Sequence, residues 1–150
     1  MPSWVFIHID VSGEPDALRN FAETVSNSNS PLDFNTIVPQ PEMEDAHEWR
    51  VEHWGVTSNA CRCEVEEFSG SLLYSFETSW CEPMPLFKAM ANKFPALSFE
   101  FEWQHESEFE VDEHNNTRSL WHTMSSKGLS DEDIRKNVSR QFVISEHWND

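Results

Sequence analysis

The sequence predicts an α+β domain built on an antiparallel sheet with helices on one face. One segment, residues 97–104, alternates strictly between apolar and polar residues, which is the pattern of a half-buried strand. Two amphipathic helical stripes each follow an extended segment, and Ser69-Gly70 forms a two-residue turn signal between two further extended segments. Seven Trp and eleven Phe in 150 residues provide the large apolar side chains of a folded core.

The N-terminal elements are a strand and a helix. The Val- and Ile-containing segment from Trp4 to Val11 ends at a turn signal and predicts the first strand. Pro15 marks a helix start, and the apolar stripe runs to Val25. Residues 31–60 predict an irregular insertion, with a short extended piece at 34–38 and one or two helical turns between 44 and 54.

The next elements are a hairpin, a helix and a strand. Residues 61–66 and 72–80 form the hairpin, a helix lies between Pro83 and Pro95, and residues 97–104 form the last strand. In the first hairpin strand we expect Cys61, Cys63 and Val65 to face the core and Arg62, Glu64 and Glu66 to face outward. The order β-α-β-β-α-β predicts a ferredoxin-like domain over residues 1–110, whose sheet leaves one face open.

Residues 111–150 predict a C-terminal extension of different character. The acidic segment at 106–113 could add a strand to the sheet. Ser130 is suited to cap a helix, with Asp133 three residues on, and Ile134, Val138 and Phe142 follow at four-residue spacing. We therefore expect a helix at about 131–143.

Negative charge dominates the composition. Twenty-seven acidic residues against ten basic ones give a net charge of −17, and residues 114–150 are neutral with five of each. The excess therefore lies in residues 1–113. Such a field repels nucleic acids and anionic membranes and attracts basic protein surfaces, although solubility alone is the alternative explanation for it. We expect a basic protein surface as partner, with no direct binding to nucleic acid or membrane.

The cysteines and the N-terminal segment predict a cytoplasmic protein. The start lacks a basic region followed by an apolar run, and no segment approaches the roughly 20 apolar residues that a membrane span needs. Cys61, Cys63 and Cys81 form an odd set, which we interpret as free thiols in a reducing compartment, with no role assigned to them.

No motif of the chain predicts a metal site, a cofactor or catalysis. Cys61-x-Cys63 is not the Cys-x-x-Cys spacing of structural zinc sites, and the seven His are scattered. The sequence has no phosphate-binding Gly-rich loop and no nucleophile or zinc-protease motif. We therefore expect a protein that is not an enzyme and that has neither metal nor cofactor.

An ordered set of short motifs resembles a known family. The set comprises Met1-Pro2-x-Trp4, Ser12-Gly13, Trp54-Gly55, Phe76-x-Thr78-x-Trp80, Pro83-x-Pro85 and Phe94-Pro95-x-Leu97-x-Phe99. It resembles the Api92-like, YubB ferredoxin-like domain family of phage and plasmid proteins over roughly residues 1–110. The resemblance implies the same ferredoxin-like fold and a mobile-element origin, and it supplies no catalytic residues. The chain departs from the family at Val56-Thr57-Ser58-Asn59, where the family has Thr-Lys and a Trp, and in its last 40 residues.

Together, the charge and the resemblance predict an inhibitor that mimics nucleic acid. It would occupy the basic groove of a host nucleic-acid-handling defence complex, of the anti-CRISPR or anti-restriction type, in the host cytoplasm. The alternative is a non-enzymatic interaction or assembly module whose acidity is incidental. It would bind through aromatic residues such as Trp121 or Trp148, or through the predicted helix at 131–143. The predicted protein-binding acidic face consists of nine carboxylates: Glu64, Glu66, Glu77, Glu100, Glu102, Glu106, Glu108, Glu110 and Asp112.

Overall fold

A computed structural model describes residues 3–149, so Met1 and Pro2 of the first motif, and Asp150, lie outside the described residues. Within these residues, four helices and seven strands follow one another, with a short 3-10 turn at Phe34–Thr36. In chain order they are β1 (Trp4–Ser12), α1 (Pro15–Val25), α2 (His47–His53), β2 (Cys61–Phe68), β3 (Ser71–Ser79), α3 (Met84–Lys93), β4 (Ser98–His105), β5 (Phe109–Val111), β6 (Thr117–Ser126), α4 (Asp131–Arg135) and β7 (Val143–Asn149).

All seven strands form one antiparallel sheet. The order across it is β2-β3-β1-β4-β6, with β5 pairing with the start of β6 and β7 pairing along the opposite edge of β6. The first four strands and their two crossing helices are the predicted βαββαβ unit. The predicted α+β, ferredoxin-like fold is therefore confirmed.

Strand β1 organises the core because it pairs on both edges, with β3 and with β4. Its odd-numbered residues Val5, Ile7, Ile9 and Val11 are fully buried, so they define the covered face of the sheet. Helices α1 and α3 pack on that face. Phe21 of α1 makes an edge-to-face contact with Phe94 at a centroid distance of 4.8 Å, and Phe87 of α3 stacks on Phe101 at 4.5 Å.

Helix α4 is shorter than predicted. Ser130 does cap it, accepting a hydrogen bond from the Asp133 amide at 3.2 Å, but the helix ends at Arg135 and not near residue 143. Asn137 has φ +54°, which is the left-handed conformation, and Asn tolerates this conformation better than most residues. A left-handed residue at this position stops a helix. Val138, the second residue of the predicted apolar stripe, is consequently exposed. Phe142, the last residue of that stripe, packs against the core.

Two smaller predictions are wrong. Residues 34–36 form a 3-10 turn and not an extended piece, because the Asp33 side chain accepts hydrogen bonds from the Asn35 amide and from Asn59 Nδ2. Cys61 pairs with Glu77 on the open face of the sheet, because a β-bulge separates it from Glu64 and shifts the alternation.

The C-terminal segment widens the sheet and leaves its open face uncovered. Strand β5 lies within the acidic segment where an added strand was expected, whereas β6 and β7 were not predicted from the sequence. Strand β6 pairs directly with β4 and contributes the fully buried Met124 to the core. Residues 111–149 are thus continuous in structure with residues 3–110. None of the helices in residues 3–149 combines the length and the apolar composition that a membrane crossing requires.

Replacing Met124 tests whether the C-terminal strands share the core. Met124→Ala should lower the free energy of unfolding by about 2–5 kcal/mol, because it leaves a cavity beneath the sheet. The control Val111→Ala lies on β5 at 52% exposure and should change it by less than about 0.5 kcal/mol. Urea denaturation followed by Trp fluorescence measures both. A Met124→Ala change as small as the control would show that β6 folds apart from the core.

Candidate protein-binding face

The uncovered face of the sheet gathers five of the nine predicted carboxylates. Residues directly opposite each other in an antiparallel pair point to the same face. Asp10 and His8 of β1, which face away from the helices, lie opposite Glu100 and Glu102 of β4. The pairing of β1 with β3, and of β3 with β2, extends the same face across these two strands. The face, here called the acidic face, therefore includes Glu64, Glu66, Glu77, Glu100 and Glu102.

Three carboxylates crowd together at the centre of the acidic face. Asp10 lies directly opposite Glu100, and the side chains of Glu100 and Glu102 share a hydrogen bond. That hydrogen bond, partial burial and the charge of Glu102 raise the pKa of Glu100, and partial burial together with the charge of Glu100 raises the pKa of Asp10. Like charges placed directly opposite each other in a sheet cost stability. The arrangement therefore disfavours the isolated, fully ionised protein.

Glu77 sits on the same face, but it is already paired. Arg62 forms an ion pair with its carboxylate, and the Arg62 guanidinium lies 4.9 Å from the centroid of the Trp4 ring. Arg62 reaches this position because it has φ +52° in the bulge of β2. A guanidinium held between an aromatic ring and a carboxylate shows how this surface accommodates a cation.

Along the edge of the face, β2 carries two exposed carboxylates. Glu64 and Glu66 lie opposite Ser75 and Leu73 of β3, so neither has an acidic residue directly across from it on that strand. They are two residues apart on one strand, which places their side chains about 7 Å apart. These two groups are exposed charges at the β2 edge of the acidic face.

Aromatic rings occupy the part of the face between the carboxylates. Phe6 and His8 of β1 are half-buried, and the His8 ring lies 5.4 Å from the ring of Trp121 on β6. Burial lowers the pKa of His8, which favours its neutral form at pH 7. The surface thus combines aromatic rings, which are enriched at protein interfaces, with carboxylates on the neighbouring strands.

The other four predicted carboxylates do not join the acidic face. Glu106 lies in the turn after β4, and Asp112 accepts hydrogen bonds from the amides of His114 and Asn116 in the β5–β6 turn. Glu110 pairs with Arg118. Glu108 is 3.0 Å from His122 Nε2, and His122 lies opposite Trp103, on the helix side of the sheet. Even-numbered residues face the open side in β4 but the helix side in β5, because the turn at residues 106–108 reverses the alternation. The sequence pattern did not reveal this reversal.

Around Glu108, imidazoles and carboxylates link β4, β6 and β7. Glu82 lies 3.0 Å from His105 Nε2, and Glu146 lies 3.4 Å from His122 Nδ1. Within residues 3–149, no group of three or more His, Cys, Asp or Glu side chains is arranged to hold a metal ion. The contacts of this cluster join the strands to one another.

The three cysteines are free thiols, and two of them are poorly suited to nucleophilic chemistry. Burial raises the pKa of Cys63 to about 12, and burial together with the charge of Glu82 raises the pKa of Cys81. A raised pKa keeps a thiol in its less reactive protonated form. The Cys81 Sγ instead donates to the Gly55 carbonyl at 3.0 Å.

Comparison with known families adds one match. Residues 59–117, from just before β2 to the start of β6, match the family model of the ferredoxin-like domain in Api92-like protein. The match confirms the Api92-like resemblance. No curated protein and no solved structure matches the chain.

Two residues of the acidic face were missed from the sequence. Asp10 belongs to the central carboxylate cluster, and Phe6 lies four residues before it on the same face of β1. The signal was present, because Val5, Ile7, Ile9 and Val11 alternate with Trp4, Phe6, His8 and Asp10. The apolar residues Trp4 and Phe6 on the outer face obscured it.

The raised pKa values of Asp10 and Glu100 predict a loss of folding stability that depends on pH. The folded state holds the protons of Asp10 and Glu100 more tightly than the unfolded state does. The destabilising effect of these two carboxylates therefore grows as pH rises through the folded pKa values, and it disappears at about pH 4 and below. Glu100→Gln should raise the free energy of unfolding at pH 7 by a few tenths to about 1 kcal/mol, after allowance for solvent screening. Urea denaturation at pH 7 and pH 4 measures the change.

The control for this prediction is Glu106→Gln, which removes an exposed carboxylate from a turn outside the acidic face. It should change stability much less at either pH. The interpretation fails if Glu100→Gln destabilises the protein or if its effect is equal at the two pH values.

Proposed function

We propose that this chain is a non-enzymatic inhibitor from a mobile genetic element that acts in the host cytoplasm. Its acidic face would occupy the basic groove of a nucleic-acid-handling defence complex, of the anti-CRISPR or anti-restriction type, in place of the nucleic acid. The observation that carries the proposal is the gathering of Asp10, Glu64, Glu66, Glu100 and Glu102 on one uncovered sheet face. The family match is consistent with a phage or plasmid origin.

The spacing of the charges supports mimicry. Carboxylates two residues apart on a strand recur about every 7 Å, and neighbouring strands lie about 4.8 Å apart. Glu64 with Glu66, and Glu100 with Glu102, form two such rows on β2 and β4, separated by β3 and β1. A groove lined with Lys and Arg to receive a phosphate backbone offers cations at comparable intervals.

The energetics of the face also favour a cationic partner. The cost of placing Asp10 opposite Glu100 is removed when a Lys or Arg approaches, so binding relieves a repulsion that the free protein carries. Long-range attraction between a chain of charge −17 and a basic groove also accelerates the encounter. Both effects weaken as added salt screens the charges.

A pull-down from host lysate tests the partner. The tagged chain should retain a basic nucleic-acid-binding complex at about 0.05 M salt and release it at about 0.5 M, because screening removes the attraction. Mass spectrometry identifies the partner, and added cognate nucleic acid should displace it. A neutral or acidic partner that survives high salt would contradict the proposal.

Charge reversal tests the face itself. Replacing Glu64, Glu66, Glu100 and Glu102 by Lys should lower affinity for the captured partner at least a hundredfold, while circular dichroism shows the same fold. The matched control reverses four exposed glutamates outside the face, Glu23, Glu42, Glu44 and Glu52, and so makes the same change in net charge. It should lose far less affinity. Equal losses would mean that net charge matters and the acidic face does not.

One observation favours the second candidate, an interaction module that binds through aromatic residues. Trp80 is 62% exposed and has φ +73°, a left-handed conformation that costs a non-glycine residue roughly 1–2 kcal/mol. Its amide donates to the Ser3 carbonyl at 2.6 Å, which fixes the turn after β3. Strained backbone conformations cluster at functional sites, and Trp is enriched among the residues that dominate binding energy at interfaces.

Substitutions at Trp80 separate the two candidates. Trp80→Gly should be more stable than Trp80→Ala by about 1 kcal/mol, because glycine adopts positive φ without strain. Urea denaturation of the pair measures this difference. If aromatic binding is the function, both variants lose the partner at any salt concentration. If mimicry is the function, both retain most of the affinity, which stays sensitive to salt.

A further inference from the structure

The outer edge of β7 has the features of a strand that pairs with another strand. All seven of its residues are exposed. Among residues 3–149 it pairs with β6 alone, so within that range no strand pairs with the amides and carbonyls of its second edge. Val143 is 66% exposed, Ile144 61% and Trp148 41%. Natural edge strands are usually protected by Lys, Pro, a bulge or a covering element. Between Val143 and Asn149 there is neither Lys nor Pro, and the pairing with β6 is regular throughout.

The opposite edge of the sheet is protected. Strand β2 carries a β-bulge between Cys61 and Glu64, and its next residues include Glu64, Glu66 and Glu67. Two copies pairing through β2 would bring these carboxylates within about 5 Å of one another. The two edges of one sheet therefore differ in their capacity for self-association.

We propose that the chain forms a homodimer in which β7 pairs antiparallel with β7 of a second copy, joining the two sheets into one. A two-fold axis perpendicular to the sheet makes this pairing self-complementary, because each strand offers the same row of donors and acceptors to the other. The exposed Val143 and Ile144 side chains then gain neighbours on both faces.

Charge explains why the occupant is a second copy. The chain carries −17 overall, but residues 114–150 have five acidic and five basic residues, and β7 holds one carboxylate, Glu146, paired with His122. In the dimer, five strand spacings separate β4 from its symmetry mate, about 24 Å. This distance is more than twice the Debye length of about 8–10 Å at physiological salt. The two acidic faces therefore barely repel each other.

Salt should then affect the dimer and the proposed partner in opposite directions. At about 0.01 M salt the Debye length is about 30 Å, so the acidic faces repel across the dimer, and adding salt should strengthen self-association. Binding to a basic groove should weaken over the same range. The dimer does not depend on the proposed inhibitory function, and the two can fail separately.

Sedimentation velocity of the full chain tests the dimer at about 1–200 μM protein. At 0.15 M salt the mass should rise with concentration to twice the 17.5 kDa of the chain. Dimer affinity should be at least tenfold weaker at 0.01 M salt. A chain that stays monomeric at 200 μM and 0.15 M salt would overturn the proposal.

Lys substitutions locate the interface. Ile144→Lys, at an exposed position of β7, should weaken the dimer at least tenfold, because it places a charge beside the new strand pair. The matched control is Val65→Lys on β2, at 38% exposure, which should leave the dimer unchanged. Circular dichroism confirms that both variants fold. A dimer that survives Ile144→Lys, or that Val65→Lys disrupts, would place the interface elsewhere and refute the β7 pairing.

Discussion

The alternation along β1 is the constraint on which the rest of the structure depends. Four β-branched residues, Val5, Ile7, Ile9 and Val11, are fully buried beneath the helices, and this fixes which side of the central strand faces outward. Because β1 pairs on both edges, its register sets the faces of β3 and β4 and, through them, of β2 and β6. A slip of one residue would exchange the two faces and bury Asp10. The acidic face is therefore a consequence of the same pattern that builds the core.

Stability and surface charge oppose each other on this sheet. The core gains from close contacts among large aromatic rings, whereas the centre of the open face carries Asp10 opposite Glu100 and beside Glu102. Glu77, by contrast, has its charge neutralised by Arg62, whose guanidinium also lies over the Trp4 ring. A sheet selected for stability alone would place such pairs throughout the face. The unneutralised carboxylates at its centre are consistent with a surface that is completed by cations from a partner.

The sequence predicted the βαββαβ unit well, because residues 97–104 alternate strictly, Ser69-Gly70 marks a turn, and prolines bracket α3. It predicted the C-terminal part poorly. Ile134, Val138 and Phe142 have helical spacing, but the left-handed Asn137 ends the helix, and no local pattern marks that conformation. Strand β6 has large apolar residues on both faces, with Trp121 on the open face and Met124 in the core. Its alternation of apolar and polar residues is therefore weak. Five of nine predicted carboxylates share one face; the rest are separated by a phase change at the turn after β4.

Carboxyl footprinting of the chain bound to its captured partner tests the central claim most directly. Carbodiimide labelling, read by mass spectrometry, reports the accessibility of each Glu and Asp in the free and bound protein. Binding through the acidic face predicts strong protection of Glu64, Glu66, Glu100 and Glu102, while Glu42, Glu44 and Glu52 remain as reactive as in the free chain. Unchanged labelling of the acidic face, with protection confined to the helix side, would contradict the account.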